Sequence, residues 1–359
     1  VTSIVLRLNL VGLFILLASA GSVQGADASR TNVILITLDG VIAKDFYNPK
    51  LLKEFWKRNS EKSLKWGGSK DSLGTAEVLN KAYISMPGYF SIFAGKETDC
   101  QTNDCERIQT ETFPEKIVRE LGLAKTDAVA VTSWERLPRA IESREGTVLV
   151  NSGFQNAPSE TLLACSEISS ELDLLASAQS LDRPTWEQNR FDKYTWAFAN
   201  LMFDCHKPRL LYVSLNDTDD YAHLGERENY EAALKGYDQW LVDFQKRLEK
   251  LELYKNNTLV ILASDHGRGE GDQWQRHNSN LETAKNTYLT LIGIGTGIDL
   301  AALKKKYAGP VNHSHIRQII EDVMLPVHAS EPVKEKTGES STLEIVVEQK
   351  PDVPTENAN

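Results

Sequence analysis

The chain has 359 residues, 41% of them hydrophobic and 25% charged, which is enough for one large α/β domain or two smaller ones with a substantial core. Its formal charge of −10 argues against a general nucleic-acid binder, which presents a basic surface to phosphate backbones. An anionic substrate would need bound cations against this field, so metal-ligating side chains become the first thing to seek.

Residues 1–25 read as an export signal: Arg7 is the only early charge, Leu8 to Leu17 is mostly apolar, and small residues follow from Ala18 to Ser22. Cleavage is expected near Gly25 or Ala26. The apolar run is too short and too rich in small residues for a stable membrane span, and no cysteine near the cleavage region supports a lipid anchor. Val1, where an initiator Met is expected, points to an alternative start codon.

Val33 to Leu38 is an apolar run that predicts a buried strand opening onto Asp39-Gly40. Residues 101–188 are irregular and are expected to hold a small cap or insertion over the site, although Ala128 to Val131 predicts a strand within them. A helix is predicted from about Pro184 to Asp204. Leu210 to Leu215 predicts a second buried strand, leading into the polar segment Asn216 to Asp220. Tyr230, Leu234, Tyr237, Leu241, Phe244, Leu248 and Leu251 then recur at steps of four and three, the period of a long amphipathic helix. A third strand, Thr258 to Ala263, ends at Ser264-Asp265-His266-Gly267, and Tyr288 to Ile294 extends the sheet.

Strand, helix and strand in this order form a parallel crossover, and ligands of such sheets gather beyond the carboxyl ends of the strands. The fold expected is α/β, a mostly parallel central sheet with helices on both faces. Its crevice would collect Asp39, Asp219 or Asp220, and Asp265. From about Ser330 aromatic residues vanish and Glu, Lys, Ser, Thr and Pro take over, so 330–359 reads as a disordered tail and 26–329 as the catalytic domain.

Cys100, Cys105, Cys165 and Cys205 form an even set, which an exported chain can use for disulfides. A zinc site at Cys100 and Cys105 is the rival reading, without a second close pair at finger-like spacing.

Asp265-His266-Gly267 places a carboxylate and an imidazole together at a strand end, a pairing that suits a divalent transition metal. A capping Asp and a core His are the plain alternative. Asp219 and His223 are four residues apart, so both reach one face of a helical turn, with Asp217 and Asp220 read as solvated or orienting. Asp39 precedes Gly40, where an ordinary turn would also place an Asp. Ser85 precedes Met86-Pro87-Gly88; Pro87 suits a first helical turn, which puts the Ser85 hydroxyl at a helix N-terminus as nucleophile or simple cap. His277, eleven residues beyond His266, is the nearest further donor. His313 and His315 near the start of the last helix read as capping or surface residues.

The ordered set Asp39, Ser85, Asp219 with His223, Asp265 with His266, and His277 resembles the alkaline phosphatase superfamily, especially its type I phosphodiesterase and nucleotide pyrophosphatase branch. The resemblance implies two divalent metal ions, zinc as a rule and manganese in some relatives. One would be held by Asp219, His223 and His277, the other by Asp39, Asp265 and His266 beside Ser85. It further implies a phosphoseryl intermediate on Ser85, with backbone N–H groups of the helix after Pro87 binding the oxyanion.

Sulfatases of the superfamily carry Pro two and Arg four positions after the nucleophile. Pro87 fits that pattern and Tyr89 does not. Lys81, Lys96 and Arg268 are near enough in sequence to clamp phosphate, but read as solvated charges. The expected function is therefore an exported, periplasmic or secreted hydrolase of a small-molecule phosphate ester, a phosphodiesterase or phosphomonoesterase. A phosphotransferase or mutase, a sulfatase, and a non-catalytic metal-stabilised binding protein are the alternatives.

Overall fold

In the computed structural model of the protein, residues 30–325 are described; the expected export signal at 1–25 and tail at 330–359 lie outside them. Among the described residues nine strands form in chain order: β1 (Asn32–Leu38), β2 (Ser63–Trp66), β3 (Ala76–Glu77), β4 (Ala128–Thr132), β5 (Leu149–Ser152), β6 (Leu210–Leu215), β7 (Thr258–Ala263), β8 (Leu289–Ile294) and β9 (Val311–Asn312). Seven of them make one sheet in the order β2-β8-β7-β1-β6-β4-β5, and β3 pairs with β9 apart from it. The pairs among β7, β1, β6, β4 and β5 are parallel, while β8 runs antiparallel to both β7 and β2.

Every residue of β1, β6 and β7 is buried, because helices cover both faces of the sheet; this is why these strands are continuous apolar runs and not alternating ones. Successive side chains of β1 enter opposite layers. Val33 and Leu35 pack with Tyr89, Phe93, Ile316 and Ile320 from the helices Ser85–Ala94 and His313–Met324. Ile34, Ile36 and Leu38 pack with Phe198, Phe203, Leu234, Tyr237 and Leu241 from the helices Asp192–His206 and Arg227–Leu248.

One expectation is corrected. The helix predicted from about Pro184 begins only at Asp192, because the preceding backbone is spent elsewhere: Glu135 N–H donates to Gln188 O at 3.0 Å and Arg190 N–H to Ser133 O at 3.0 Å. Within residues 101–188 the expected strand forms as β4 and joins the central sheet together with β5, and loops of this segment reach the cleft described below. All four cysteines pair, Cys100 with Cys105 and Cys165 with Cys205, which settles the rival zinc reading. No helix among the described residues is long and apolar enough to cross a membrane.

Candidate metal centre and nucleophile

The registers Leu38↔Leu215 and Thr37↔Ala263 set the carboxyl ends of β6 and β7 on either side of the end of β1. The residues that follow each strand therefore meet. Asp39 N–H continues the ladder to Leu215 O at 2.9 Å, and the Asp39 carbonyl accepts from Thr218 Oγ1 at 2.8 Å. Gly40 has φ +61° and donates its N–H to Asp265 Oδ1 at 3.1 Å. A Cβ there would lie 2.3 Å from Asp219 Oδ1, so both the left-handed backbone and the close approach call for glycine.

After β6 the helix Asp217–Leu224 carries Asp219 and His223 one turn apart, with His223 Nε2 3.2 Å from Asp219 Oδ2. Asp192 anchors this helix by accepting the amides of Asn216 at 2.7 Å and Asp217 at 2.8 Å, while its own N–H donates to Asp217 Oδ1 at 3.1 Å. Asp217 is thus a structural cap. Asp220 accepts from Asn189 Nδ2 at 2.9 and 2.8 Å and from Asn216 Nδ2 at 3.0 Å, and burial pushes its carboxyl up to about 8.

His266 and His277 stack with ring centroids 3.7 Å apart. The Nδ1 of His266 lies 2.9 Å from Gly267 O, and that of His277 lies 3.0 Å from Tyr83 O. An N–H at Nδ1 satisfies each carbonyl, so each neutral ring presents a bare Nε2 lone pair to the cluster. The Nε2 of His266 is 3.5 Å from Asp39 Oδ1, 3.3 Å from Asp265 Oδ2 and 3.2 Å from Ser85 Oγ. Both of those carboxylate oxygens are buried without a hydrogen-bond partner. With these carboxyls ionised, the lone pairs converge with only the Ser85 hydroxyl to donate among them; a cation relieves that repulsion, and the donor set fits a divalent metal.

The donor atoms of Asp39, Asp265 and His266 lie within 4.8 Å of one another, as do those of Asp219, His266 and His277. His223, 34% exposed in its side chain, stands at the rim with Nε2 2.8 Å from His277 Nε2. The six ligand candidates and Ser85 are thus gathered in one place, with His266 common to both groups and His223 at the edge of the second.

Burial, then repulsion from Asp265 and Asp219, raises the Asp39 carboxyl well above the carboxylate range. Burial and Asp219 push Asp265 up to about 8. Burial acts to raise Asp219 too, but Arg268, His277 and His223 outweigh it and hold this carboxyl well below its ordinary value. Burial, followed by His277, depresses His266 strongly, and burial lowers His277 to about 4. Both imidazoles are therefore neutral donors at physiological pH.

Ser85 opens the helix Ser85–Ala94, as expected. The backbone donors expected there are largely spent: Pro87 has no N–H, Gly88 N–H donates to Ile84 O at 3.0 Å, and Met86 N–H donates to Asn103 Oδ1 at 3.0 Å. Arg268 is also corrected. It is only 2% exposed, and its guanidinium donates to the carbonyls of Gly40 at 3.1 Å and Trp274 at 3.2 Å and to the Asp219 carboxylate. His313 is buried beneath the site with Nε2 3.1 Å from Ser264 O, whereas His315 caps its helix by accepting Asn312 N–H at 3.0 Å. Lys81 and Lys96 are exposed.

Sequence reasoning missed Tyr89, whose hydroxyl donates to Asp39 Oδ2 at 2.9 Å from the same helix as Ser85. It also missed the walls of a cleft of about 470 Å³ that contains Ser85, Asp219 and His223 and is lined further by Asn103, Trp134, Arg136 and Trp186. Tyr89 had a signal, one helical turn beyond Ser85; the wall residues had none.

The family model described as type I phosphodiesterase / nucleotide pyrophosphatase matches residues 38–356 of this chain. No curated protein matches it. Among solved structures, it is similar to the C-terminal periplasmic domain of EcEptC from Escherichia coli in complex with Zn, at 9% identity and TM-score 0.50, covering 82% of each chain. It is similar to a protein in the alkaline phosphatase superfamily from Vibrio parahaemolyticus, at 10% identity and TM-score 0.49, covering 82% of this chain and 66% of that one, which is the longer. It is also similar to the phosphonate monoester hydrolase SpPMH from Silicibacter pomeroyi, at 12% identity and TM-score 0.48, covering 82% and 73%. These likenesses are of fold.

Proposed function

The chain belongs to the type I phosphodiesterase / nucleotide pyrophosphatase family, and from that premise we propose that it is an exported, metal-dependent hydrolase of phosphate esters with Ser85 as its nucleophile. Family membership supports phosphoester hydrolysis as the type of reaction. The observation that carries the finer reading is the position of Ser85 Oγ, 3.2 Å from His266 Nε2 in a cleft beside two unpartnered, buried carboxylate oxygens.

Asp39, Asp265 and His266 would hold one ion and Asp219, His277 and His223 the other, as zinc or alternatively manganese, since oxygen and imidazole donors without thiolate suit both. When bound, these cations supply Lewis acidity that lowers the pKa of a hydroxyl and offsets charge on phosphoryl and leaving oxygens. Ser85 Oγ attacks phosphorus in line, the bond to the leaving alcohol breaks, and a phosphoserine remains. Water then cleaves the phosphorus–Oγ bond, releasing phosphate from a monoester or a phosphomonoester from a diester and restoring the serine. The N-terminal dipole of the Ser85–Ala94 helix favours negative charge at this point, and Asn103, its Oδ1 engaged by Met86 N–H, has its Nδ2 left to donate to a phosphoryl oxygen.

Tyr89, at the fourth position after the nucleophile, holds Asp39 in place of a sulfatase arginine, which favours phosphorus over sulfur esters. Two disulfides suit an oxidising compartment and so support export, with 1–25 removed as a leader, 26–329 as the catalytic domain and 330–359 as a tail. The cleft volume suits a small-molecule ester.

Nitrophenyl phosphate, bis-nitrophenyl phosphate and nitrophenyl sulfate, assayed on wild type and Ser85→Ala with metal content measured for both, test the reading. A fall of at least about 10³-fold with unchanged metal content is expected. Full activity in Ser85→Ala would overturn the mechanism, and a preference for the sulfate would overturn the substrate class.

A further inference from the structure

Residues 95–112 form neither helix nor strand, yet they deliver Asn103 to the cleft beside Ser85. Irregular backbone has few internal hydrogen bonds to fix its course, so the direction of Asn103 depends on what ties this segment down. Asn80 Nδ2 donates to Cys100 O at 3.0 Å, Arg136 Nη1 to Asn103 O at 3.3 Å and Arg139 Nη1 to Cys105 O at 3.2 Å. These contacts hold the two ends and one carbonyl. The Cys100–Cys105 disulfide closes the turn around Asn103 at a sequence separation of 5. From that turn, Asn103 Oδ1 reaches the catalytic helix at Met86 N–H.

The second disulfide differs in every relevant respect. Cys165 and Cys205 are 40 residues apart, follow the helix Ser159–Ala164 and lie within the helix Asp192–His206, and neither lines the cleft. A cross-link restricts the unfolded chain more as the ring it closes grows, so the larger ring should carry more of the stability. The small ring contributes only about half as much in that way.

We propose that the Cys100–Cys105 disulfide is a positioning element of the cleft, holding Asn103 in register with Ser85, and that turnover depends on it through Asn103. This rests on the phosphoester reading above. The prediction is a separation of effects: the small ring governs kcat and anion binding, and the large ring governs melting.

The test uses metal-loaded full-length protein as wild type, C100S/C105S, C165S/C205S, Asn103→Ala, and Asn103→Ala combined with C100S/C105S. Nitrophenyl phosphate kinetics, melting temperature and calorimetric affinity for inorganic phosphate are measured for each. Asn103→Ala should lower kcat by about 100-fold, and C100S/C105S by about tenfold with weaker phosphate binding and a smaller fall in melting temperature than the other disulfide's removal causes. C165S/C205S should melt at a lower temperature than C100S/C105S and keep kcat within about twofold of wild type. In the Asn103→Ala background, C100S/C105S should lower kcat no further, because a purely structural loss would multiply independently.

Wild-type kcat and phosphate affinity in C100S/C105S would overturn the proposal, as would an equal fractional loss with and without Asn103 or an Asn103→Ala variant that behaves as wild type. Should C100S/C105S not fold, folded C165S/C205S treated with a phosphine gives the same reading, the disulfide and water becoming two thiols and phosphine oxide. If wild type cleaves no phosphate ester, the functional reading falls alone, and phosphate affinity still decides the positioning claim.

Discussion

On the two-ion reading proposed for this site, stripping the ions should make stability fall as pH rises from 6.5 to 8, by an amount set by two buried carboxyl groups. In the metal-free fold, burial and neighbouring carboxylates raise Asp39 well above its ordinary value and push Asp265 up to about 8. Such a group keeps a proton that the unfolded chain has released, so its stabilising effect is complete below the unfolded pKa near 4 and is lost as pH climbs through the folded one. His266 and His277 act in the opposite sense. Their pKa values are depressed, so their contribution is complete above the unfolded value near 6.5 and is lost only as pH falls below it. Between pH 6.5 and 8 the carboxyls of this centre act alone. Each lowers stability by at most about 1.4 kcal/mol per pH unit, which for the pair is up to about 4 kcal/mol across the interval. Bound cations favour the ionised form and remove this slope. Asp192, Asp217 and Asp220, also raised, remain in both forms and largely cancel in the difference. Urea unfolding at pH 6.5 and pH 8, with chelator or with excess zinc, reads the effect directly. The gap between loaded and stripped protein should widen toward pH 8; a constant or narrowing gap would refute the reasoning.

Tyr89→Phe removes the hydroxyl that orients Asp39, and zinc affinity should fall by about 10- to 100-fold while the core stays packed, as measured by competitive zinc titration with circular dichroism as control. Arg268→Met takes the cation from buried Asp219 and should destabilise the metal-free protein by about 3–5 kcal/mol, with a smaller loss when zinc supplies the compensating charge. Equal losses with and without zinc would show that no cation reaches Asp219.

The strands that build the site were legible almost to the residue. β1, β6 and β7 are sandwiched between helical layers, so burial on both faces writes them as unbroken apolar runs. β8 was legible as a strand but not in its direction, which depends on pairing with β7. β5 (Leu149–Ser152) left no such run, since its sequence Leu-Val-Asn-Ser is half polar. The start of the helix at Asp192 was hidden for a different reason: the backbone of Gln188 and Arg190 bonds to residues 133–135, a contact that no local propensity records.

Asp39, Asp265 and His266 stood out because each follows an apolar run, and Asp219 with His223 because four residues make one helical turn. Arg268, read as solvated, and His313, read as a capping or surface residue, are instead buried: carbonyls of Gly40 and Trp274 accept from the guanidinium, and that of Ser264 lies against His313 Nε2, contacts that polarity alone does not signal. By itself the sequence determined the fold class and the chemical types of the donors, since apolar periodicity and residue identity are local properties of the chain. Only the tertiary structure decided which candidate donors are gathered together, which carboxylate oxygens are buried without partners and that Asn103 and Ser85 line one cleft, because each of these depends on groups apart in sequence that strand register and loop packing bring together.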